Sequence, residues 1–420
     1  MKVKESYWKE GLSMQQNNKV TLTIFYTYVA LLSSTDLMLL TGMIWFSLKV
    51  TGSPMLIGIL LSVSVFLPFL AKKFIYRQKR DKTLKNMAVQ RILIYAIIML
   101  SSLVFSQHDL LNLMMWGILL GLSSFITNST LEKHNTIIAM SGKLKYEIAA
   151  RLMQTMVQIG ACLGAFLGGI LIYYLNILSF AQVISIISLL ATISLLILWK
   201  GEHEQLQASE HENNESNALS STGQFSKYTV MSLVVLSVGV GMIGFQISSF
   251  NILMPVVFQK VYIWNAVYLG IASAVAGVGS FCASLVRNHS KIVIIFAIIL
   301  AVCDWIAGLA GTLAIVMVAC FFIGFSMNYC RIALRQELMK LPTNSSEAEK
   351  IASFSTATYM CFQGVSPILV ALILSALNAN DIIASYLFGV IGIVVMLVII
   401  LSVSSKTLLL ELYNEGAKNA

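Results

Sequence analysis

The sequence predicts an all-α polytopic membrane protein, with twelve transmembrane helices in two pseudo-symmetric six-helix halves. The first observation is composition: of 420 residues, 57% are hydrophobic and 11% are charged. A soluble domain has roughly a quarter of its residues charged, so this chain carries too few charges for a water-exposed surface. Backbone groups in lipid must be paired within their own segment, and no alternating strand pattern is present, so the apolar runs are predicted to be helices.

The second observation is the number of these runs, since a helical span needs about twenty apolar residues. In the first half the predicted spans are 21–48, 55–76, 86–106, 109–130, 148–175 and 178–199. In the second half they are 228–258, 265–287, 291–310, 312–333, 351–377 and 380–404. The sequence therefore predicts a first half at 1–199, a cytoplasmic linker at 200–227 and a second half at 228–420.

Composition and a weak internal repeat support this division. The segment 200–227 carries five glutamates among Asn, Ser and Gln residues and shows no apolar periodicity, as in a flexible tether. Leu56-Ile57-Gly58 opens the second predicted span, and Tyr268-Leu269-Gly270 opens the eighth in the same way. Paired halves of this kind hold their substrate near the membrane midplane, at the interface between the halves.

The third observation is where the basic residues lie. Of the 28 Lys and Arg residues, only Lys49 and Lys260 stand at predicted outer ends of spans, and the loops after even-numbered spans are basic. By the positive-inside rule, both termini are predicted to be cytoplasmic in a multi-pass protein of the cell (plasma) membrane. The same distribution accounts for the net charge of +9 without a nucleic-acid partner.

Two acidic residues inside predicted spans are candidates for proton coupling, because ionisable groups in a membrane are costly and are functional by default. Asp36 lies near the middle of the first span, and Asp304 lies towards the outer half of the ninth. An unpaired carboxylate at Asp36 could load and release a proton near neutral pH; the alternative is a packing hydrogen bond to a neighbouring span. Asp36→Asn, a near-isosteric change, is expected to abolish proton-coupled transport and leave folding nearly intact.

The fifth span carries a polar stripe formed by Glu147, Arg151, Gln154 and Gln158. Their spacings of four, three and four place them on one helix face. We expect this face to line a substrate cavity; the alternative is an ion pair between Glu147 and Arg151 at the helix end. Further candidates for the cavity are Arg91, Gln246, Asn251 and Gln363. Arg91 could also compensate a carboxylate, or its side chain could reach the cytoplasmic headgroups. For the other three the alternative is interhelical hydrogen bonding.

A different face of the fifth span carries small residues: Gly160, Gly164, Gly168 and the adjacent Gly169. Glycines at intervals of four let two helix backbones approach closely, so these positions are predicted to serve in helix packing and gating.

Several classes of function are disfavoured. No nucleotide-binding loop, metalloprotease motif or nucleophile motif occurs, so the chain is not predicted to be an enzyme. The six cysteines stand singly in apolar runs, which predicts neither a disulfide framework nor a metal site, and no cofactor is expected. The expected partners are a small-molecule substrate, protons and the lipid bilayer, and the protein is expected to be monomeric.

The chain resembles the major facilitator superfamily, and within it the macrolide-efflux and enterobactin-exporter branch. The resemblance rests on four motifs: Ala30–Asp36, Thr51-Gly52-Ser53-Pro54, Ile57-Gly58 and Phe66-Leu67-Pro68. The glycines 160–169 are also similar to the antiporter signature of span five, with Ala165 in place of a proline. The loop at 72–82 departs from the family, because it lacks the glycine and its only acid, Asp81, comes late.

This resemblance implies proton-driven export of a small organic molecule, with alternating access by rocking of the halves. Arg91 and Arg151 favour an anionic siderophore as the substrate. Macrolide-like or other lipophilic drugs are the alternative, since aromatic residues could supply an apolar cavity: Phe245, Phe250, Trp305 and Tyr359. A non-transporting membrane scaffold or sensor is an alternative of another class, and uptake instead of export stays open.

Overall fold

The computed structural model describes residues 2–74, 83–104, 109–140, 144, 146–198, 227–286, 290–341, 345–377 and 382–418. Within these ranges the chain forms twelve α-helices and no β-strand. The first six are α1 (Lys2–Thr51), α2 (Pro54–Phe74), α3 (Leu84–Val104), α4 (Asp109–Met140), α5 (Tyr146–Tyr174) and α6 (Ile177–Leu198). The others are α7 (Lys227–Val256), α8 (Ala266–Leu285), α9 (Ser290–Leu309), α10 (Leu313–Met339), α11 (Ser345–Ala376) and α12 (Ile382–Lys418).

Eleven helices in the described ranges contain a stretch long and apolar enough to cross a membrane. The twelfth, α2, contributes the shorter apolar stretch Pro54–Phe66. The prediction of an all-α, twelve-helix membrane protein is therefore confirmed. Residues 200–226 of the predicted linker lie outside the described residues, and Lys227 begins α7, so the domain boundaries stay a prediction.

Packing within the second six helices repeats that of the first six. In the first half α1 packs on α5, α2 on α4, and α3 on α6. In the second half α7 packs on α11, α8 on α10, and α9 on α12. Each pair has its counterpart six helices later, which is the pseudo-symmetry expected of two repeated halves.

Two helix pairs form most of the contact between the halves, α5 with α8 and α2 with α11. Both are built on close backbone approach: a Cβ added at Gly169 would lie 2.7 Å from Gly270 Cα, and one added at Gly58 would lie 2.7 Å from the carbonyl oxygen of Pro367. Ser62 adds a direct hydrogen bond, donating to the carbonyl oxygen of Gly364 at 2.7 Å. Small residues of this kind let membrane helices pack where no hydrophobic effect drives them together.

These contacts lie towards one side of the membrane. We call the side at which α1 begins the terminal face and the opposite side the far face. Gly58 and Gly270 stand near the starts of α2 and α8, and Gly169 near the end of α5, which are all far-face positions. In the short π-helix Val257–Val261 that continues α7, Lys260 Nζ donates to the carbonyl oxygen of Gly52 at 2.7 Å. The two halves are therefore held together at the far face.

The other glycines of α5 pack on α1. Gly160 lies against the carbonyl oxygen of Ala30, Gly164 against the backbone of Ser34, and Gly168 against the backbone of Met38.

Gly164→Leu should therefore lower the free energy of unfolding by at least about 1–3 kcal/mol, the usual cost of over-packing. Thermal unfolding of the purified protein in detergent measures the change. Phe166→Leu, at a side chain on the same helix that is 38% exposed, is the matched control and should unfold like the wild type. Equal unfolding temperatures for Gly164→Leu and the wild type would show that α1 and α5 separate easily here.

Candidate functional site

The polar centre of the first half is an ion pair between α1 and α3. Arg91 Nη2 lies 2.7 Å from Asp36 Oδ1, and Arg91 Nη1 donates to Asp36 Oδ2 at 3.2 Å. Tyr95, one turn after Arg91, donates its hydroxyl to Asp36 Oδ1 at 2.6 Å, and Ser124 of α4 donates to Oδ2 at 3.1 Å. The carboxylate thus accepts a two-pronged guanidinium and two hydroxyl groups, which is a strong and directional arrangement.

The two partners differ in exposure. The Arg91 side chain is fully buried, whereas the Asp36 side chain is 14% exposed. A shell of oxygen atoms from α1, α4 and α6 surrounds the guanidinium, namely the hydroxyls of Thr35, Ser123, Thr127 and Ser188 and the carbonyl of Leu32. The acid is therefore partly open at the protein surface, while the base is sealed behind it.

One expectation from the sequence is wrong in this region, and of the alternatives for Arg91 the structure agrees with compensation of a carboxylate. Asp36 is not unpaired, and Arg91 does not extend to the headgroups but points into the helix bundle. The physical reason is that 55 residues separate the pair along the chain, and only the packing of α1 against its neighbours brings the two side chains together. Because Arg91 is buried and already paired, it offers no open surface to a substrate in this conformation.

The second half holds a carboxyl group in a contrasting environment. Asp304 of α9 is fully buried, and Gln246 of α7, also buried, donates from Nε2 to Asp304 Oδ2 at 2.7 Å. Gly392 of α12 lies against Oδ2 so closely that a Cβ there would overlap it. Among the described residues no basic side chain pairs with Asp304, and Asp304 Oδ1 and Gln246 Oε1 have no hydrogen-bond partner. Gln246 thus contacts the acid instead of lining an open cavity.

The remaining candidates are spread over three helices. On α5, Arg151 has an exposed side chain, Gln154 and Gln158 are partly buried, and the side chain of Glu147 lies outside the described residues. Asn251 of α7 and Gln363 of α11 are partly buried. The structure therefore brings together Asp36 with Arg91 and Asp304 with Gln246, whereas the α5 stripe stays separate from both pairs in the described contacts.

Sequence reasoning missed the hydroxyl donors around the ion pair. Tyr95 had a recognisable signal, since it follows Arg91 by four residues and so shares its face of an otherwise apolar helix. Ser124, Thr127 and Ser188 had none, because single hydroxyls are common in membrane helices and only the fold shows which of them converge.

Comparisons with known proteins agree with this architecture. Residues 134–348, more than half of the chain, match the Major Facilitator Superfamily. The chain belongs to this superfamily, and it is a membrane transporter. A comparison with curated protein sequences gives no match.

Three solved structures, of two transporters, share the fold at low sequence identity. Two are crystal structures of a bacterial homologue of the human lysosomal transporter Spinster, both inward-facing. The unoccupied form has a TM-score of 0.63 at 12% identity, covering 93% of this chain and 97% of that one. The occupied form has a TM-score of 0.62 at 13% identity, and the match covers 94% of this chain and 97% of that one. The third is a POT family transporter in complex with 5-aminolevulinic acid. It has a TM-score of 0.66 at 11% identity, and the match covers 92% of this chain and 96% of that one.

Proposed function

We propose that this transporter is a proton-coupled secondary active exporter of a small organic molecule, of the macrolide-efflux and enterobactin-exporter branch. The observation that carries the proposal is the partly exposed Asp36 carboxylate bound to the fully buried Arg91. An ion pair in a membrane protein interior is retained against a high desolvation cost, and intramembrane charges commonly mark proton pathways.

A proton on Asp36 removes the negative charge that Arg91 needs. The guanidinium would then have only the hydroxyls of α1, α4 and α6 as strong hydrogen-bond partners. The free energy of packing these helices around Arg91 therefore differs between the ionised and the protonated form of Asp36. A ligand shifts a conformational equilibrium only by its difference in affinity for the two states. Proton binding at Asp36 supplies such a difference.

Asp304 is the second proposed proton site. A carboxylate can only accept hydrogen bonds, whereas a carboxylic acid also donates one. One proton on Asp304 Oδ1 would supply the donor that Gln246 Oε1 lacks among the described residues, while Gln246 Nε2 continues to donate to Oδ2. The acid and amide would then form two hydrogen bonds in place of one.

For the substrate, a siderophore-like organic anion is favoured over a lipophilic drug. Arg91 no longer supports an anion, since Asp36 occupies it, but Arg151 remains exposed. Two of the aromatic residues that would line a drug cavity are used in packing. Phe250 is buried with its ring centroid 6.0 Å from that of Phe388, and Trp305 lies 6.1 Å from Tyr386 and against Gly389.

The proposed orientation places the terminal face in the cytoplasm of a plasma-membrane protein that acts as a monomer. The face at which the halves are held together is then the outer one, so the structure corresponds to a transporter closed to the outside. Reporter fusions at residues 1 and 420 test this orientation, and activity on the outside at either end would contradict it.

Accumulation of labelled catecholate siderophores and macrolides, in cells with and without the gene, tests the function. Export predicts lower accumulation of the siderophore when the gene is present, and a protonophore should remove the difference. A difference that survives the protonophore would contradict proton coupling, and higher accumulation would establish uptake. Lower accumulation of the macrolide alone would replace the siderophore by the drug alternative, and no difference for any compound would favour a scaffold.

A further inference from the structure

Two arginines one turn apart stand on α10, whose span covers Leu313–Met339. Arg335 is exposed and Arg331 is partly exposed. Like charges four residues apart on a helix repel each other, so the pair favours a partner of opposite charge.

The surroundings of Arg335 show which way it faces. Its guanidinium carbon lies 5.9 Å from the centroid of the Tyr359 ring on α11. The guanidinium therefore lies over α11, a helix that itself contacts α2 of the first half. An arginine that only anchors the protein at the headgroups would point outwards to lipid.

Tyr359 forms an aromatic wall beside Arg335. Its ring packs on α7 at Gly244, where an added Cβ would lie 3.0 Å from the ring atoms. A planar guanidinium recognises a carboxylate through two parallel hydrogen bonds, and it also stacks on aromatic rings. The arrangement thus combines two guanidinium groups that can bind an anion with the flat apolar surface of an aromatic ring.

We propose that Arg331 and Arg335, with Tyr359 as the wall, bind the carboxylate end of a planar aromatic anion, and that this is the chemical class of the transported substrate. The inference rests on the proposed function and narrows it. A bound carboxylate would offset the repulsion between Arg331 and Arg335 near the end of α10, on the side away from the Lys260–Gly52 contact.

Binding of benzoate to the purified full-length protein in detergent tests the proposal, measured by isothermal titration calorimetry. Benzamide, the neutral analogue with the same ring, and acetate, the carboxylate without a ring, are the comparison probes. The wild type should bind benzoate at least tenfold more tightly than either. Arg331→Gln and Arg335→Gln should each weaken benzoate binding at least tenfold, because each removes one guanidinium group.

Two further variants keep the test decisive. Tyr359→Leu retains both arginines and should reduce benzoate binding towards that of acetate, even if an arginine variant fails to fold. Lys340→Gln removes a cation that is exposed just beyond the helix and paired with Glu337, and it should bind benzoate like the wild type.

The proposal is overturned if benzoate binds equally to the wild type and both arginine variants, or if Lys340→Gln weakens binding as much as they do. Equal affinity for benzoate and benzamide would overturn it as well. These measurements use no proton gradient, so a negative result leaves proton-driven export untouched, and a failure of export leaves the binding result standing.

Discussion

Asp36→Asn is expected to lower the free energy of unfolding by about 3–5 kcal/mol, because it leaves the buried Arg91 charge without its anion. This expectation replaces the one drawn from sequence alone, in which the near-isosteric change leaves folding nearly intact. The difference comes from the pairing distance of 2.7 Å and from the complete burial of the arginine. Thermal and denaturant unfolding of the purified variant measure the loss.

The double variant Asp36→Asn/Arg91→Gln provides the control, since it removes both charges and leaves no unpaired ion. It should unfold closer to the wild type than Asp36→Asn does, while proton-driven transport stays absent in both. If Asp36→Asn alone unfolds like the wild type, the pair contributes little to stability. If the double variant still transports with proton coupling, Asp36 is a packing residue.

Asp304→Asn is expected to retain the stability of the wild type, unlike Asp36→Asn, and to reduce proton-driven transport at least tenfold. Asp304 has no cation partner among the described residues, so its removal leaves no unpaired charge. An asparagine amide can donate to Gln246 Oε1 and accept from Gln246 Nε2, so it imitates the protonated acid permanently. Transport into proteoliposomes under an imposed proton gradient measures the effect.

The matched change for this site is Gln246→Leu, which keeps the acid and removes its amide partner. It should cost stability, because Asp304 would then be buried with neither of its oxygens paired within the described part of the chain. Normal proton coupling in Asp304→Asn would exclude Asp304 as a proton carrier and leave Asp36 alone in that role.

The helices could be predicted from the sequence because hydropathy and length determine them one segment at a time. The first predicted span, 21–48, lies inside α1, which begins at Lys2. Hydropathy registers only the membrane-embedded part of such a helix, so the polar first turns were missed. The same local reasoning identified Asp36 as a costly intramembrane acid.

Partners could not be predicted, because they depend on how helices pack. The glycines of α5 illustrate this limit. Their spacing predicted close packing, but it could not show that Gly168 faces α1 whereas Gly169 faces α8. Successive residues of a helix differ by about 100° in direction, so adjacent glycines serve two different interfaces, one within the first half and one between the halves.

The Asp36–Arg91 pair also affects how strongly the conformational change depends on the membrane voltage. Moving one elementary charge across 100 mV changes the free energy by about 2.3 kcal/mol, so a lone charge on a rocking helix would make every conformational step depend on voltage. The pair has no net charge while Asp36 is ionised, and its two members move together. We therefore expect the pair itself to add almost no voltage dependence to the reorientation while Asp36 is ionised, and proton binding at Asp36 to expose the full charge of Arg91 to the field. Transport rates in proteoliposomes clamped at different potassium diffusion potentials, at high and low pH, would show whether the voltage dependence increases on protonation.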